Sequence, residues 1–207
     1  MNPQIRELIL TIPVFLLAVT IHEYAHGWVA LKRGDSTALE EGRLSLSPLA
    51  HIDPFGTILF PLLLALAGLP VFGWAKPVPI NFHRLYNPKK DLLWVGLAGP
   101  AANIIFSFGV ALILRSFPVL ALPTLGRLMF YLVIINLFLG IFNLIPVPPL
   151  DGSRIITSLL PLRQAMAYMR LERYGFIIMF VLLWTGVIGR VVVPIVTVLT
   201  RILVLGR

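Results

Sequence analysis

The chain has 207 residues, 58% of them hydrophobic and only 13% charged, with a formal net charge of +8 and no cysteine. So small a charged share, about half that of soluble domains, excludes a water-soluble fold, and the lack of thiols confines any metal site to His, Asp or Glu. On a membrane chain the positive balance reads as Lys and Arg gathered in cytoplasmic loops, not as a nucleic-acid surface.

The N-terminal stretch has no small-residue cleavage site, and its apolar run continues through two histidines. We therefore expect a retained helix, not a signal peptide. The first apolar segment, roughly Leu8 to Leu31, is long enough to span a membrane and stops at Lys32-Arg33-Gly34-Asp35. A polar stretch from Ser36 to Asp53 follows. Within it Arg43 to Ser47 alternates polar and apolar residues, which predicts a short strand. Asp35 and Asp53 read as turn or cap residues.

The second apolar segment, Pro54 to Gly73, is interrupted by Gly56, Pro61, Gly68 and Pro70, a pattern suited to a re-entrant segment. Leu92 to Leu114 and Leu128 to Leu150 carry no charge and predict two full spans. A basic loop with Arg154, Arg163, Arg170 and Arg173 comes next, then the apolar stretches Tyr174 to Gly189 and Val191 to Gly206. The latter contains Arg201 and reads as a final span or an interfacial helix. There is no internal repeat or low-complexity tract. The expected architecture is an all-α polytopic membrane protein of about five or six membrane helices, one of them re-entrant. A small membrane-associated β element lies between the first two segments. We expect one integral membrane domain over 1–207, with a core at about 8–152 and C-terminal membrane helices at about 168–206.

Three ionisable residues, His22, Glu23 and His26, stand inside the first span. Such groups are expensive in a bilayer and mark function. At i and i+4 the two imidazoles share one helix face. They can bind one zinc ion, with Glu23 beside the metal and able to take a proton from a water. That is the physical content of the H-E-x-x-H pattern. The plain alternative is a pair of buried histidines bonded to neighbouring helices, with Glu23 as their partner.

A catalytic zinc commonly has three protein ligands. The remaining histidines are His51 and His83, and the best acidic candidate is Asp151, in "PVPPLDG". Pro146, Pro148 and Pro149 interrupt a helix and free the chain to turn toward a site, although Asp-Gly is also a common turn pair. Topology favours Asp151. If Pro54–Gly73 dips in and returns, two crossings separate the histidines from Asp151, and both lie at one membrane face. The same topology puts Lys32, Arg33, Lys76, Arg84, Lys89, Lys90, Arg154, Arg163 and Arg170 on that face, the cytoplasmic one, with Arg115 and Arg127 opposite. Asn103, in "LAGPAAN", then sits at about the depth of the metal. Its amide is a candidate donor to a substrate carbonyl or oxyanion. Gly99, Ala101 and Ala102 beside it are small residues of the kind that let membrane helices approach. His51 is a possible indirect partner of the site.

"HEYAH", "GPAAN" and "NLIPVPPLDG", in this order, resemble the site-2 protease family of intramembrane zinc metalloproteases. The resemblance extends through "GRLSLSPLAHIDPFGT" and "GWAKPVPIN", and is nearest to short prokaryotic members without PDZ or CBS domains. It implies one Zn2+ per chain held by His22, His26 and Asp151, with Glu23 as general base and Asn103 positioning substrate. It also implies a multi-pass cell-membrane protein whose partners are the lipid bilayer and transmembrane segments of other proteins. The alternatives are an inactive relative that binds such segments, a transporter, which would leave H-E-x-x-H unexplained, and a zinc peptidase acting on a soluble or prenylated substrate.

Overall fold

The computed structural model describes residues 3–67, 73–117 and 123–206. The fold is helical: α1 (Pro3–Lys32), α2 (Thr37–Glu40), α3 (Phe60–Leu66), α4 (Pro88–Ser116), α5 (Pro123–Asn143), α6 (Asp151–Leu159), α7 (Leu162–Met169), α8 (Gly175–Trp184) and α9 (Val187–Thr200). Among the described residues, stretches of four helices are long and apolar enough to cross a membrane: Leu10–Lys32, Pro88–Ser116, Pro123–Asn143, and α9 with its continuation to Leu205. This is a polytopic membrane protein.

Helix α4 is the hub, packing against α1, α5 and α6, while α5 also touches α1 and α9. Apolar residues of α4, α5 and α9 (Val110, Leu114, Val133, Leu137, Val192 and Val196) make the larger core. At the other end Ala30, Leu85 and Val95 join α1 to the start of α4. There Arg33 stacks over Trp94 and pairs with the buried Asp91 at 3.3 Å.

Several expectations change. Among the described residues there is no strand, and Arg43–Ser47 forms none. The N–H groups of Arg43 and Leu44 both turn back to the Ala38 carbonyl, and that of Ser45 bonds Arg43 O, so these donors cannot serve a ladder. The Leu128–Leu150 span is helical only to Asn143. The proline-rich run that follows is irregular, and Asp151 opens the first turn of α6. The break between the last two apolar stretches falls at Gly186, whose φ of 70° is left-handed. Helix α8 has only 10 residues, about 15 Å and so half a hydrocarbon core.

Pro54–Leu59 forms a π-helical turn capped by Asp53, whose carboxylate accepts the Phe55 and Gly56 N–H groups, and α3 continues from it. The rest of the predicted re-entrant segment, 68–72, lies outside the described residues. Where the description resumes, Trp74 N–H donates to Gly56 O and Lys76 N–H to His51 O. The chain has thus come back beside its point of departure. From there a non-helical strap, Gly73 to Asn81, runs to α1 and is held by its backbone. The Arg43 guanidinium grips Lys76 O and Pro77 O, and Asn81 N–H meets Asp35.

Candidate metal centre

The i, i+4 spacing turns His22 and His26 to one side of α1, and α4 packs over them. Contact this close requires Gly99: a β-carbon there would stand 2.4 Å from His26 Nε2 and 2.6 Å from His22 Nε2. Gly152 acts similarly for the third residue. A β-carbon on it would meet the Leu144 and Ile145 carbonyls at 2.4 Å, so only glycine lets α6 start against the proline-rich turn. The result brings Asp151 to α1. Its Oδ2 lies 2.9 Å from His22 Nε2 and 3.0 Å from His26 Nε2, and the two Nε2 atoms are 3.0 Å apart. All three side chains are buried.

Their partners fix what the three atoms present. His26 Nδ1 is 2.7 Å from Val95 O, a carbonyl that can only accept, so Nδ1 carries the proton. The Nδ2 group of Asn103 donates to Ala18 O, again an obligate acceptor, which turns Oδ1 toward His22. His22 Nδ1, 2.6 Å from that oxygen, must therefore donate. In their neutral forms both imidazoles aim an Nε2 lone pair at a carboxylate oxygen. Three lone pairs thus converge in a buried space, an arrangement that a cation resolves. Tetrahedral zinc bonds of about 2.0–2.1 Å place ligand atoms about 3.3 Å apart, a few tenths of an ångström wider than this triangle. The donor set and its shape fit zinc.

The other oxygen of Asp151 is held by Arg154, 3.2 Å away at i+3. Glu23, half-buried, has one oxygen engaged by Val78 N–H of the strap at 2.8 Å. Val78 is flanked by Pro77 and Pro79, which have no N–H, and its side chain packs on α1 beside Gly27.

Asn103 reaches the site, but its contacts differ from those of a substrate or oxyanion donor. It is fully buried, and both Nδ2 hydrogens are engaged by Ala18 O and Asn136 Oδ1. Buried His51 bonds through Nε2 to Ser45 O and receives Lys76 N–H on its carbonyl. It ties loop to strap, and none of its hydrogen bonds reaches the trio. Sequence reasoning missed Arg154, Asn136 and Val78. The i+3 spacing from Asp151 pointed to the first, and a polar residue in an uncharged span to the second; nothing local pointed to Val78.

The model of peptidase family M50 matches residues 119–186, which include Asp151 but neither histidine of the trio. "Putative zinc metalloprotease YwhC" of Bacillus subtilis is 42% identical over 177 residues, 82% of this chain and 78% of that protein. "Putative zinc metalloprotease Rip2" of Mycolicibacterium smegmatis is 30% identical over 183 residues, 88% of this chain and 69% of that protein. "Zinc metalloprotease MJ0392" of Methanocaldococcus jannaschii is 30% identical over 162 residues, 77% of this chain and 37% of that protein. No solved structure matches the chain. With the Bacillus subtilis and Mycolicibacterium smegmatis relatives this similar over most of their length, and with the family match over the segment that delivers Asp151, the chain belongs to peptidase family M50, the site-2 protease family.

Proposed function

We propose that the chain is an intramembrane zinc metalloprotease that hydrolyses peptide bonds within or near transmembrane segments of membrane proteins. The observation that carries this reading is the convergence of His22 Nε2, His26 Nε2 and Asp151 Oδ2 within 3.0 Å of one another, inside a bundle of apolar helices. His22, His26 and Asp151 are the zinc ligands. The metal, when bound, supplies the Lewis acidity that polarises a scissile carbonyl and makes water acidic enough to attack near neutral pH.

Glu23 is the general base. It takes a proton from the attacking water and returns it to the leaving amine. Its contact with Val78 N–H fixes one oxygen and leaves the other free for that transfer. Arg154 holds Asp151 by its second oxygen and favours the carboxylate. The helix of the substrate must unwind before its peptide bond reaches this trio, because a helical carbonyl is already hydrogen-bonded.

Residues 1–207 act as one membrane domain in this reading, with the catalytic core within about 8–152. Pro54–Gly73 enters the bilayer and returns, in keeping with the bond from Trp74 N–H to Gly56 O. The site then lies toward the cytoplasmic face of the cell membrane, where the basic loops gather. Partners are the bilayer and transmembrane segments of substrate proteins.

The test pairs metal content with cleavage. Wild type holds about one zinc per chain; His22→Ala and Asp151→Ala lose it. Glu23→Gln keeps the zinc yet cleaves a transmembrane substrate on the order of a thousandfold more slowly. Cleavage by Glu23→Gln at the wild-type rate, or full zinc retention by Asp151→Ala, overturns the assignment.

A further inference from the structure

His22 is oriented by a chain of two amides that begins on α5. Asn136, fully buried in the middle of an apolar helix, donates Nδ2–H to Leu132 O at 2.8 Å. That carbonyl accepts only, so Asn136 Oδ1 faces the other way, toward α4, and accepts Asn103 Nδ2–H at 2.8 Å. The second Nδ2 hydrogen of Asn103 goes to Ala18 O on α1 at 2.9 Å. With both hydrogens engaged, Asn103 presents only its oxygen to His22 Nδ1 at 2.6 Å. Both amides have one possible sense, because each donates to a backbone carbonyl, and Asn103 passes that sense on to His22.

We infer that Asn136 and Asn103 act as a linked positioning pair for the metal: they keep the His22 proton on Nδ1 and its Nε2 lone pair aimed at the site. This rests on the reading of His22 as a zinc ligand and extends it to a residue on a third helix, one that touches neither metal nor substrate. The physical reason is the ambidexterity of imidazole. A histidine whose Nδ1 lacks a fixed acceptor is free to carry its proton on Nε2, and that tautomer cannot ligate through Nε2. Groups bonded to ligating histidines typically change metal affinity by about 10–100-fold when removed. An asparagine is well suited to this task inside a membrane. It supplies an uncharged oxygen, and its own hydrogens are satisfied by α1 and α5, so no unpaired polar group faces lipid. The pair also couples His22 to the packing of α1, α4 and α5, since its hydrogen bonds join all three helices.

The experiment is competition titration of zinc with a chelator on the purified full chain in detergent. The proteins are wild type, Asn136→Leu, Asn136→Asp, Asn103→Ala and the double variant Asn103→Ala/Asn136→Leu. Thermal unfolding of each metal-free protein is followed in parallel. Asn103→Ala is expected to weaken zinc binding by about 10–100-fold and Asn136→Leu by about tenfold. Asn136→Asp keeps an oxygen opposite Asn103 Nδ2 and is expected to stay within about threefold of wild type. The double variant should bind no more weakly than Asn103→Ala alone, since Asn136 acts only through Asn103.

Two results overturn the pair: wild-type affinity in Asn136→Leu, or effects of the two substitutions that simply add. A lowered metal-free melting temperature in Asn136→Leu with unchanged zinc affinity means packing alone, and also overturns it. If the leucine variant does not fold, nitrogen-15 spectra of the histidine rings in zinc-bound wild type decide. A His22 proton on Nδ1 with the metal at Nε2 upholds the pair; the reverse arrangement refutes it. Failure of the metal reading itself looks different: wild type then holds no zinc, or His22→Ala holds as much as wild type.

Discussion

Gly99 lies directly against His26. A β-carbon added to it would sit 2.4 Å from Nε2, the atom that faces His22 and Asp151. No real contact is so short, and the obstructing atom belongs to a ring pinned on its far side by Val95 O. The small residue in "LAGPAAN" therefore makes room for the site as well as for helix packing.

Gly99→Ala should accordingly abolish stoichiometric zinc binding and cleavage together, while the helices still form, since alanine is the better helix former by about 1 kcal/mol. Gly109→Ala, on the same helix, where an added β-carbon would meet no side chain or neighbouring segment among the described residues within 4 Å, is the matched control and should keep both. Metal analysis and circular dichroism on the two variants check this. Full zinc occupancy in Gly99→Ala would mean that α4 stands farther from α1 than the structure places it.

Arg154 holds the Asp151 oxygen that faces away from the histidines. Arg154→Ala should weaken zinc binding by about tenfold, the lower end of what indirect partners of a metal contribute. Arg154→Lys should recover only part, because an ammonium lacks the planar fork of a guanidinium. The check is a zinc titration of each variant against wild type, with Arg163→Ala as a control on a neighbouring exposed arginine.

Val78 offers Glu23 the only backbone N–H between two prolines. Val78→Pro removes that donor in a stretch already rich in proline, whereas Val78→Ala keeps it and loses only side-chain contact with α1. A hydrogen bond to a charged group contributes about 1.5–3 kcal/mol. Val78→Pro is therefore expected to lower kcat by about tenfold or more with zinc content unchanged, and Val78→Ala to change it little. Equal effects of the two substitutions would show that packing matters there and the hydrogen bond does not.

Zinc joins α1 to α6 across α4, so its removal should loosen the bundle as well as stop catalysis. Ligand at a thousand times its dissociation constant stabilises the folded state by about 4 kcal/mol. Chelated protein should melt at a lower temperature and recover both stability and activity on addition of one equivalent of zinc. In Asp151→Ala the zinc-dependent rise in melting temperature should be small or absent.

Much of this was legible in the sequence because it depends on local spacing. Apolar runs long enough to cross a bilayer announced spans in α1, α4 and α5, and the runs in α4 and α5 carry no charge. The i, i+4 histidines announced a shared helix face, and three prolines announced a break ahead of Asp151. Alternation at Arg43–Ser47 misled, since a strand needs a partner for its N–H groups and the nearby Ala38 carbonyl takes two of them.

The tertiary structure alone decided which way each lone pair points. The His22 tautomer is fixed by Asn103, 81 positions away, that of His26 by Val95 O, 69 positions away, and the carboxylate they face comes from 129 positions beyond His22. Helical periodicity determines which face of α1 carries the imidazoles. It does not say which carbonyl, amide or glycine of another helix will be laid against that face, because that follows from how α1, α4 and α5 pack.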